Sequence, residues 1–193
     1  MKALAAMAAS LEDSQPLAGL QDAARSGDLA AFETLMRQHE RLVLVTALRL
    51  LSRMEDAQDA SQEVFLRLYR NLGKVTTGNV PGWLYRVTVN VCRDFRRRHS
   101  EVMLSSDMTE LIAPGADPQQ AATETERRRL LEMSLRLLSE KERAALVLRD
   151  LEGLPTEEVA AVLGTTQATI RSQIFKARIK MKNFVERYCR SRV

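Results

Sequence analysis

The feature that most constrains this chain is a break near its middle. Residues 99–122 hold Pro114, Gly115 and Pro118 among small polar residues, with no apolar residue recurring at a helical or strand period. From Ser100 to Glu126 there are six acids (Glu101, Asp107, Glu110, Asp117, Glu124, Glu126) and no lysine or arginine. Proline removes backbone donors, and unpaired like charges repel, so this stretch reads as an extended acidic tether. Whatever folds must fold on either side of it. The pattern divides the chain into an N-terminal arm over 1–16, a unit over 17–98, a flexible acidic linker over 99–122 and a second unit over 123–193.

Both units are written as helices. Apolar residues make up 45% of the chain and aromatics only 5%, and Ala and Leu dominate the apolar set. Those two side chains lose little freedom on entering a helix. Asp28 precedes Leu29, Phe32, Leu35 and Met36, an N-cap before a helical stripe that continues, or restarts, through Leu42 to Leu51. Ser52-x-x-Glu55 has the spacing of a capping box and is expected to open a helix running to about Leu72. Residues 73–82 carry three glycines and Pro81, which predicts a loop, and Trp83 to Arg98 reads as the next helix. Helices resume near Thr123. Ser139-x-x-Glu142 is a second capping box, Gly153 stands just past a helix end, and two further helices are expected near 156–163 and 167–186. Nothing alternates with a strand period. The expected fold is all-α: two small helical domains joined by a flexible acidic linker, the C-terminal one a helix-turn-helix.

The formal net charge of +4 decides little, but its distribution is informative. Arg86, Arg93, Arg96, Arg97 and Arg98 face one acid, Asp94, within their segment. Gln167 to Lys182 holds five bases and no acid. A solvated surface usually mixes signs, so two segregated basic blocks point to nucleic acid at two places. Enzymatic signatures are missing: Gly73 and Gly78 are followed by Asn79-Val80 rather than the Lys-Ser/Thr of a phosphate loop, and there is no HExxH or GxSxG. His39 and His99 are far apart, and the two cysteines, Cys92 and Cys189, form no CxxC. No catalytic residue, metal site or cofactor is therefore expected. Met1 to Ser10 is too short and weakly apolar for a secretory signal, no run is long enough to span a membrane, and a reducing cytoplasm is the expected location.

Thr156 to Lys176 has the grammar of a helix-turn-helix. Ala160 is small where two helices approach, Gly164 stands where the turn needs a positive φ, and Thr165 or Thr166 can cap the second helix. Val159, Leu163, Ile170 and Ile174 face inward at compatible spacings. Gln167, Arg171, Ser172, Phe175, Lys176 and Arg178 are left on the outer side, where a helix in a major groove reads base edges and grips phosphates. Arg171 suits guanine, and Gln173 suits adenine if it points outward. On the 56–72 helix, Asp59, Gln62, Glu63 and Leu66 share one face, while Ala60, Val64 and Leu68 share another suited to packing. On these residues alone a dimeric helix-turn-helix regulator, acting without a polymerase, remains open.

The segments DAQDASQEVFLRLYRNL (56–72) and PGWLYRVTVNVCRDFRRR (81–98) are more specific. They resemble region 2 of the extracytoplasmic-function sigma factors of the sigma-70 family. LSEKERAALVLRDLEGLPTEEVAAVLGTTQATIRSQIFKAR (138–178) resembles region 4 of the same family. The resemblance covers roughly residues 20–98 and 123–185. It implies that Asp56, Asp59, Gln62, Glu63 and Leu66 dock core RNA polymerase, on a coiled coil of its largest subunit. It implies capture of a −10 promoter element by the 73–82 loop with Trp83, Tyr85, Arg86, Asn90, Arg93, Arg96 and Arg97. Reading of a −35 element then falls to Gln167, Arg171, Ser172, Gln173, Phe175, Lys176 and Arg178. Trp83 and Tyr85 are either core residues or wedges against the duplex, and Cys92 is a packing residue. The linker would thread toward the polymerase cleft, and the free protein would be held by an anti-sigma factor. Pro155 stands where the family often has Ser, Gln173 where Arg is common, and Phe175-Lys176 where a His-Arg pair is common. The −35 sequence therefore cannot be carried over from a relative.

Overall fold

A computed structural model describes residues 14–76, 79–99 and 118–190, and every regular element among them is helical. In chain order these are α1 Ser14–Arg25, α2 Leu29–Leu51, α3 Met54–Asn71, a 3-10 turn Leu72–Lys74, α4 Val80–His99, α5 Pro118–Arg136, α6 Glu140–Leu146 continued by a π turn Val147–Leu151, α7 Thr156–Leu163 and α8 Gln167–Arg190. No described helix is long and apolar enough to cross a membrane. Most of the expected arm, and most of the expected linker with Glu101, Asp107, Glu110 and Asp117, lie outside the described residues.

The N-terminal half is built around α2, which packs against α1, α3 and α4. Ala47 on α2 and Ala57 and Ala60 on α3 are fully buried, and these small side chains let the two helices approach closely. Val64 and Leu68 of α3 and Leu84 and Val91 of α4 complete the same core, so the expected packing face of α3 is the buried one. Cys92 sits in it too, and burial pushes its thiol up to about 12. In the C-terminal half, α6 and α7 pack on α8 through Val147, Leu148, Val159, Ile170 and Ala177.

Asp28 caps α2 as expected, its carboxylate accepting from Ala30 N–H at 2.9 Å and Ala31 N–H at 3.1 Å. Ser139 and Glu142 form the expected reciprocal box at the start of α6. Gly153 has φ +79, and Leu154 N–H closes back on Leu148 O at 3.0 Å, ending that helix as the sequence implies.

Four expectations are corrected. Ser52 does not open α3. It adopts φ 67 and donates its N–H to Leu48 O, ending α2, and extended Arg53 becomes the N-cap without a side-chain bond. An N-cap needs extended dihedrals, which a left-handed residue does not have. The loop over 73–82 is shorter, because Pro81 and Gly82 lie in the first turn of α4, where a missing N–H costs nothing. Helix resumes at Pro118 rather than near Thr123, so Glu124 and Glu126 belong to α5. The arm gives way to helix at Ser14, and α1 is an element the sequence reading did not include, although Leu20, Ala23 and Ala24 pack on the core at helical spacing.

Candidate nucleic-acid and polymerase interfaces

The turn between α7 and α8 is set by Gly164 at φ 62, ψ 43, with Thr165 N–H donating to Ala160 O at 3.0 Å. Thr166, not Thr165, is the side-chain cap: its Oγ1 accepts from Thr169 N–H at 3.2 Å. Val159, Ile170 and Ile174 are buried and Leu163 is half-buried, which leaves Gln167, Arg171, Ser172, Phe175 and Lys176 exposed on the outer face of α8. Arg171 donates to Gln167 Oε1 at 3.1 Å, one turn back. Gln173 is half-buried toward the flank. Arg178 is engaged within the C-terminal half, where its guanidinium grips both oxygens of Asp150 at 2.8 and 2.9 Å. That hydrogen-bonded pair raises the Arg178 pKa above its ordinary value. Phe175 is 66% exposed, and Ile179, which the sequence reading left out, is 43% exposed one turn further along the same face.

A second surface is an open groove between α2 and α3. Asp59, Gln62 and Leu66 line it from α3, facing Phe32, Met36 and Leu44 of α2. Tyr69 closes one end, its ring edge-on to Phe32 with centroids 5.1 Å apart at 71°. Leu66 is 49% exposed, so the groove offers apolar surface between the acids Glu40 and Asp59, with Glu33 at its edge paired to Arg37 at 2.7 Å. That composition suits an amphipathic helix with basic flanks. The two other expected docking residues stand off the groove. Glu63 is half-buried and pairs with Arg67 at 2.7 Å, and Asp56 lies 3.9 Å from Arg53 at the start of α3.

α4 is divided between two environments. Asn90 and Arg97 are exposed, and Trp83 is half-buried against the core. The face carrying Tyr85, Arg86, Arg93 and Arg96 is turned toward the C-terminal half. Buried Tyr85 donates its hydroxyl to Glu152 Oε2 at 3.3 Å, while Glu152 Oε1 takes Arg49 at 2.6 Å. Burial, and then the Glu152 charge, push the phenol well above its usual range. Arg86 donates to Ala161 O at 2.9 Å, and Arg93 to Glu140 Oε1 at 3.2 Å. Arg96 is half-buried with Nε unpaired, and burial lowers its pKa while Glu140 opposes the fall. Beneath them Arg143 is 3% exposed and donates to Leu135 O and Leu50 O, both at 2.9 Å. Burial, aided by Arg96 and Arg136, pushes its guanidinium down to about 10.

Residues 35–102 match the family Sigma-70 region 2, and residues 128–181 match Sigma-70, region 4. The "ECF RNA polymerase sigma factor SigE" of Mycolicibacterium smegmatis is 33% identical over 169 residues, covering 84% of this chain and 66% of that protein. The chain belongs to the sigma-70 family, in its extracytoplasmic-function branch. Relatives of this sigma factor include the "RNA polymerase sigma-H factor" of Pseudomonas aeruginosa, 29% identical over 82% of this chain and 88% of that one. The "ECF RNA polymerase sigma-E factor" of Escherichia coli K12 is 29% identical over 86% of this chain and 93% of that one. Among solved structures, CnrH in complex with the cytosolic domain of CnrY matches with TM-score 0.65 at 24% identity, over 88% of this chain and 97% of that one. RpoE in complex with the anti-sigma factor NepR from Bartonella quintana matches with TM-score 0.65 at 21% identity, over 80% and 96%. At those identities the likeness speaks for the fold.

Pattern reading of the sigma factor missed the residues that join its halves. Glu140 and Glu152 read as ordinary helix-end acids, and no local spacing ties them to α4. It also missed Gln21 and Arg25 of α1. Their separation of one helical turn was visible, but a Gln and an Arg at that spacing are read as solvent-facing.

Proposed function

We propose that this alternative sigma factor docks core RNA polymerase with the α2–α3 groove, engages a −10 element with α4 and reads a −35 element with the outer face of α8. Asp59, Gln62 and Leu66 are the docking residues in direct reach, with Asp56 and Glu63 flanking them. Asn90, Arg97 and Trp83 meet the −10 strand first; Tyr85, Arg86, Arg93 and Arg96 join them once the C-terminal half moves away. On α8, Gln167, Arg171, Ser172, Phe175 and Lys176 face the major groove, Gln173 flanks them, and Arg178 braces the helix through Asp150. The helices of 14–99 and those of 118–190 form the two working units, tethered by the segment between them. Catalysis belongs to the polymerase and the sigma factor brings no active site of its own. It works in the cytoplasm, where an anti-sigma factor holds it until a signal arrives.

The observation that carries this reading is the pairing of both family regions, in order on one chain, with an α8 outer face whose segment contains five bases and no acid. Purified core polymerase, with and without this chain, is tested on a library of genomic fragments with start-site mapping. Discrete starts that require the chain, each preceded by a shared pair of upstream elements, are expected. Identical starts from core polymerase alone overturn the reading.

A further inference from the structure

The exit of α3 is held by side chains of α1 rather than by the apolar core alone. Beyond Asn71 the chain makes one 3-10 turn, closed by Val75 N–H donating to Leu72 O at 3.3 Å. Carbonyls at a helix end point onward without a partner in the helix. Arg25 Nε donates to Leu72 O at 3.1 Å, and its Nη2 donates to Val75 O. Gln21 Nε2 donates to the same Val75 O at 3.1 Å. Gln21 is 1% exposed and one turn before Arg25, so both leave the same face of α1. A guanidinium suits a helix C-terminus twice over, because its hydrogen bonds are charge-assisted and its charge opposes that of the helix end. Apolar burial has no preferred direction, whereas donors aimed at two carbonyls fix both position and direction.

What this clamp holds leads into α4. Val75 and Val80 are both buried on the core. Between them Asn79 N–H donates to Thr76 O at 3.0 Å, and Trp83 N–H donates to Asn79 O at 3.2 Å as α4 begins. The two clamp residues precede the segment that matches Sigma-70 region 2, which starts at residue 35.

We propose that Gln21 and Arg25 are positioning residues for −10 recognition: by pinning Leu72 O and Val75 O they fix where and at what rotation α4 starts, and so where Trp83, Asn90 and Arg97 meet the opened strand. Neither residue touches DNA. The inference rests on the reading that α4 engages the −10 element.

The test uses holoenzyme reconstituted from core polymerase and the full chain, on a promoter from the start-site map with its −10 element randomised. Four measurements are made: core affinity by competition, −35 preference, −10 base preference among productive templates, and permanganate reactivity of unpaired thymines. Arg25→Met and Gln21→Leu should flatten the −10 preference and lower strand opening by about tenfold, the scale set by a lost charged hydrogen bond. Core affinity and −35 preference should be unchanged. Arg25→Lys should recover part of the loss, since an ammonium reaches one carbonyl but does not fork across two, and it keeps the comparison alive if Arg25→Met does not fold. Asn90→Ala on α4 separates the two ideas. If it changes the −10 preference and the clamp variants do not, the clamp proposal is wrong. If it leaves the preference untouched as well, the assignment of α4 to the −10 element fails. A parallel loss of core affinity and −10 preference in the clamp variants also rejects the positioning role.

Discussion

Arg171 stands at the start of a helix with its guanidinium exposed and, among the described residues, Gln167, one turn back, as its partner. Such a hydrogen bond between neighbours on a surface is easily exchanged for a base edge. Arg171→Ala is expected to cost about 1–3 kcal/mol, confined to one position of the −35 element. Binding of the holoenzyme to templates mutated one base at a time checks this, and a uniform loss over all templates would assign Arg171 to phosphate instead. His39 offers a different residue-scale test. It is buried in α2, and desolvation lowers its pKa below the ordinary 6.5. The unfolded chain therefore takes up a proton first as pH falls. Stability from the buried neutral ring is complete above pH 6.5 and declines as the pH drops below that value toward the folded pKa. Urea melts of the wild type should show stability falling as the pH is taken from neutral to mildly acid, and His39→Gln should flatten that slope. An equal slope in the variant would place the acid sensitivity elsewhere.

At the scale of elements, α3 divides into a buried face and one that lines an open groove. Ala60, Val64 and Leu68 are buried, while Asp59, Gln62 and Leu66 line the groove. Asp59→Lys with Glu63→Lys should weaken capture of core polymerase by about 1–3 kcal/mol and leave the thermal melt almost unchanged, since neither carboxylate is buried. A normal pull-down would reject the docking face. That division was legible in the sequence because helical periodicity reports which face is apolar, and the two faces of α7–α8 were legible for the same reason. Caps were legible only when the neighbouring element left room. Ser139 and Ser52 have the same spacing to a glutamate, yet only Ser139 closes a box. α2 runs to Leu51 and needs Ser52 as its left-handed terminator, a conflict no four-residue pattern contains. The roles of Gln21 and Arg25 in α1 stayed hidden because periodicity assigns polar donors to solvent, whereas here they tie the helix to the exit of α3. Glu140 and Glu152 stayed hidden because their partners lie 47 and 67 or more residues away, beyond any local pattern.

For the whole molecule, the decisive fact is that the C-terminal half occupies side chains proposed for the −10 strand. Tyr85, Arg86 and Arg93 are bonded to Glu152, Ala161 O and Glu140, so the face of α4 on which they lie is not open to DNA in this arrangement. The contacts are unequal. Arg93 and Glu140 are each about half exposed (50% and 47%), and a pair screened to that degree is worth less than about 1 kcal/mol. Glu152 is different: its side chain is 11% exposed, it meets Arg49 at 2.6 Å, and it also accepts from Tyr85. The protected polar contacts between the halves are therefore Glu152 with its two partners and buried Arg143, which donates to Leu50 O at 2.9 Å. Glu152→Ala leaves the Arg49 guanidinium and the Tyr85 hydroxyl short of a partner in a closed molecule, and both regain water when it opens. The closed form should lose about 1–3 kcal/mol, a shift of roughly 5–150-fold in the closed-to-open ratio. Small-angle scattering of the free chain should then show a larger radius, and its affinity for a single-stranded −10 oligonucleotide should rise in the same proportion. Glu140→Ala should move both readouts far less, and added salt should act mainly on the Arg93 pair, which water already reaches. If Glu152→Ala changes neither radius nor strand affinity, the halves are held by Arg143 on Leu50 O, Arg86 on Ala161 O and their apolar contacts, and release of the proposed −10 face must be driven by docking on the polymerase alone.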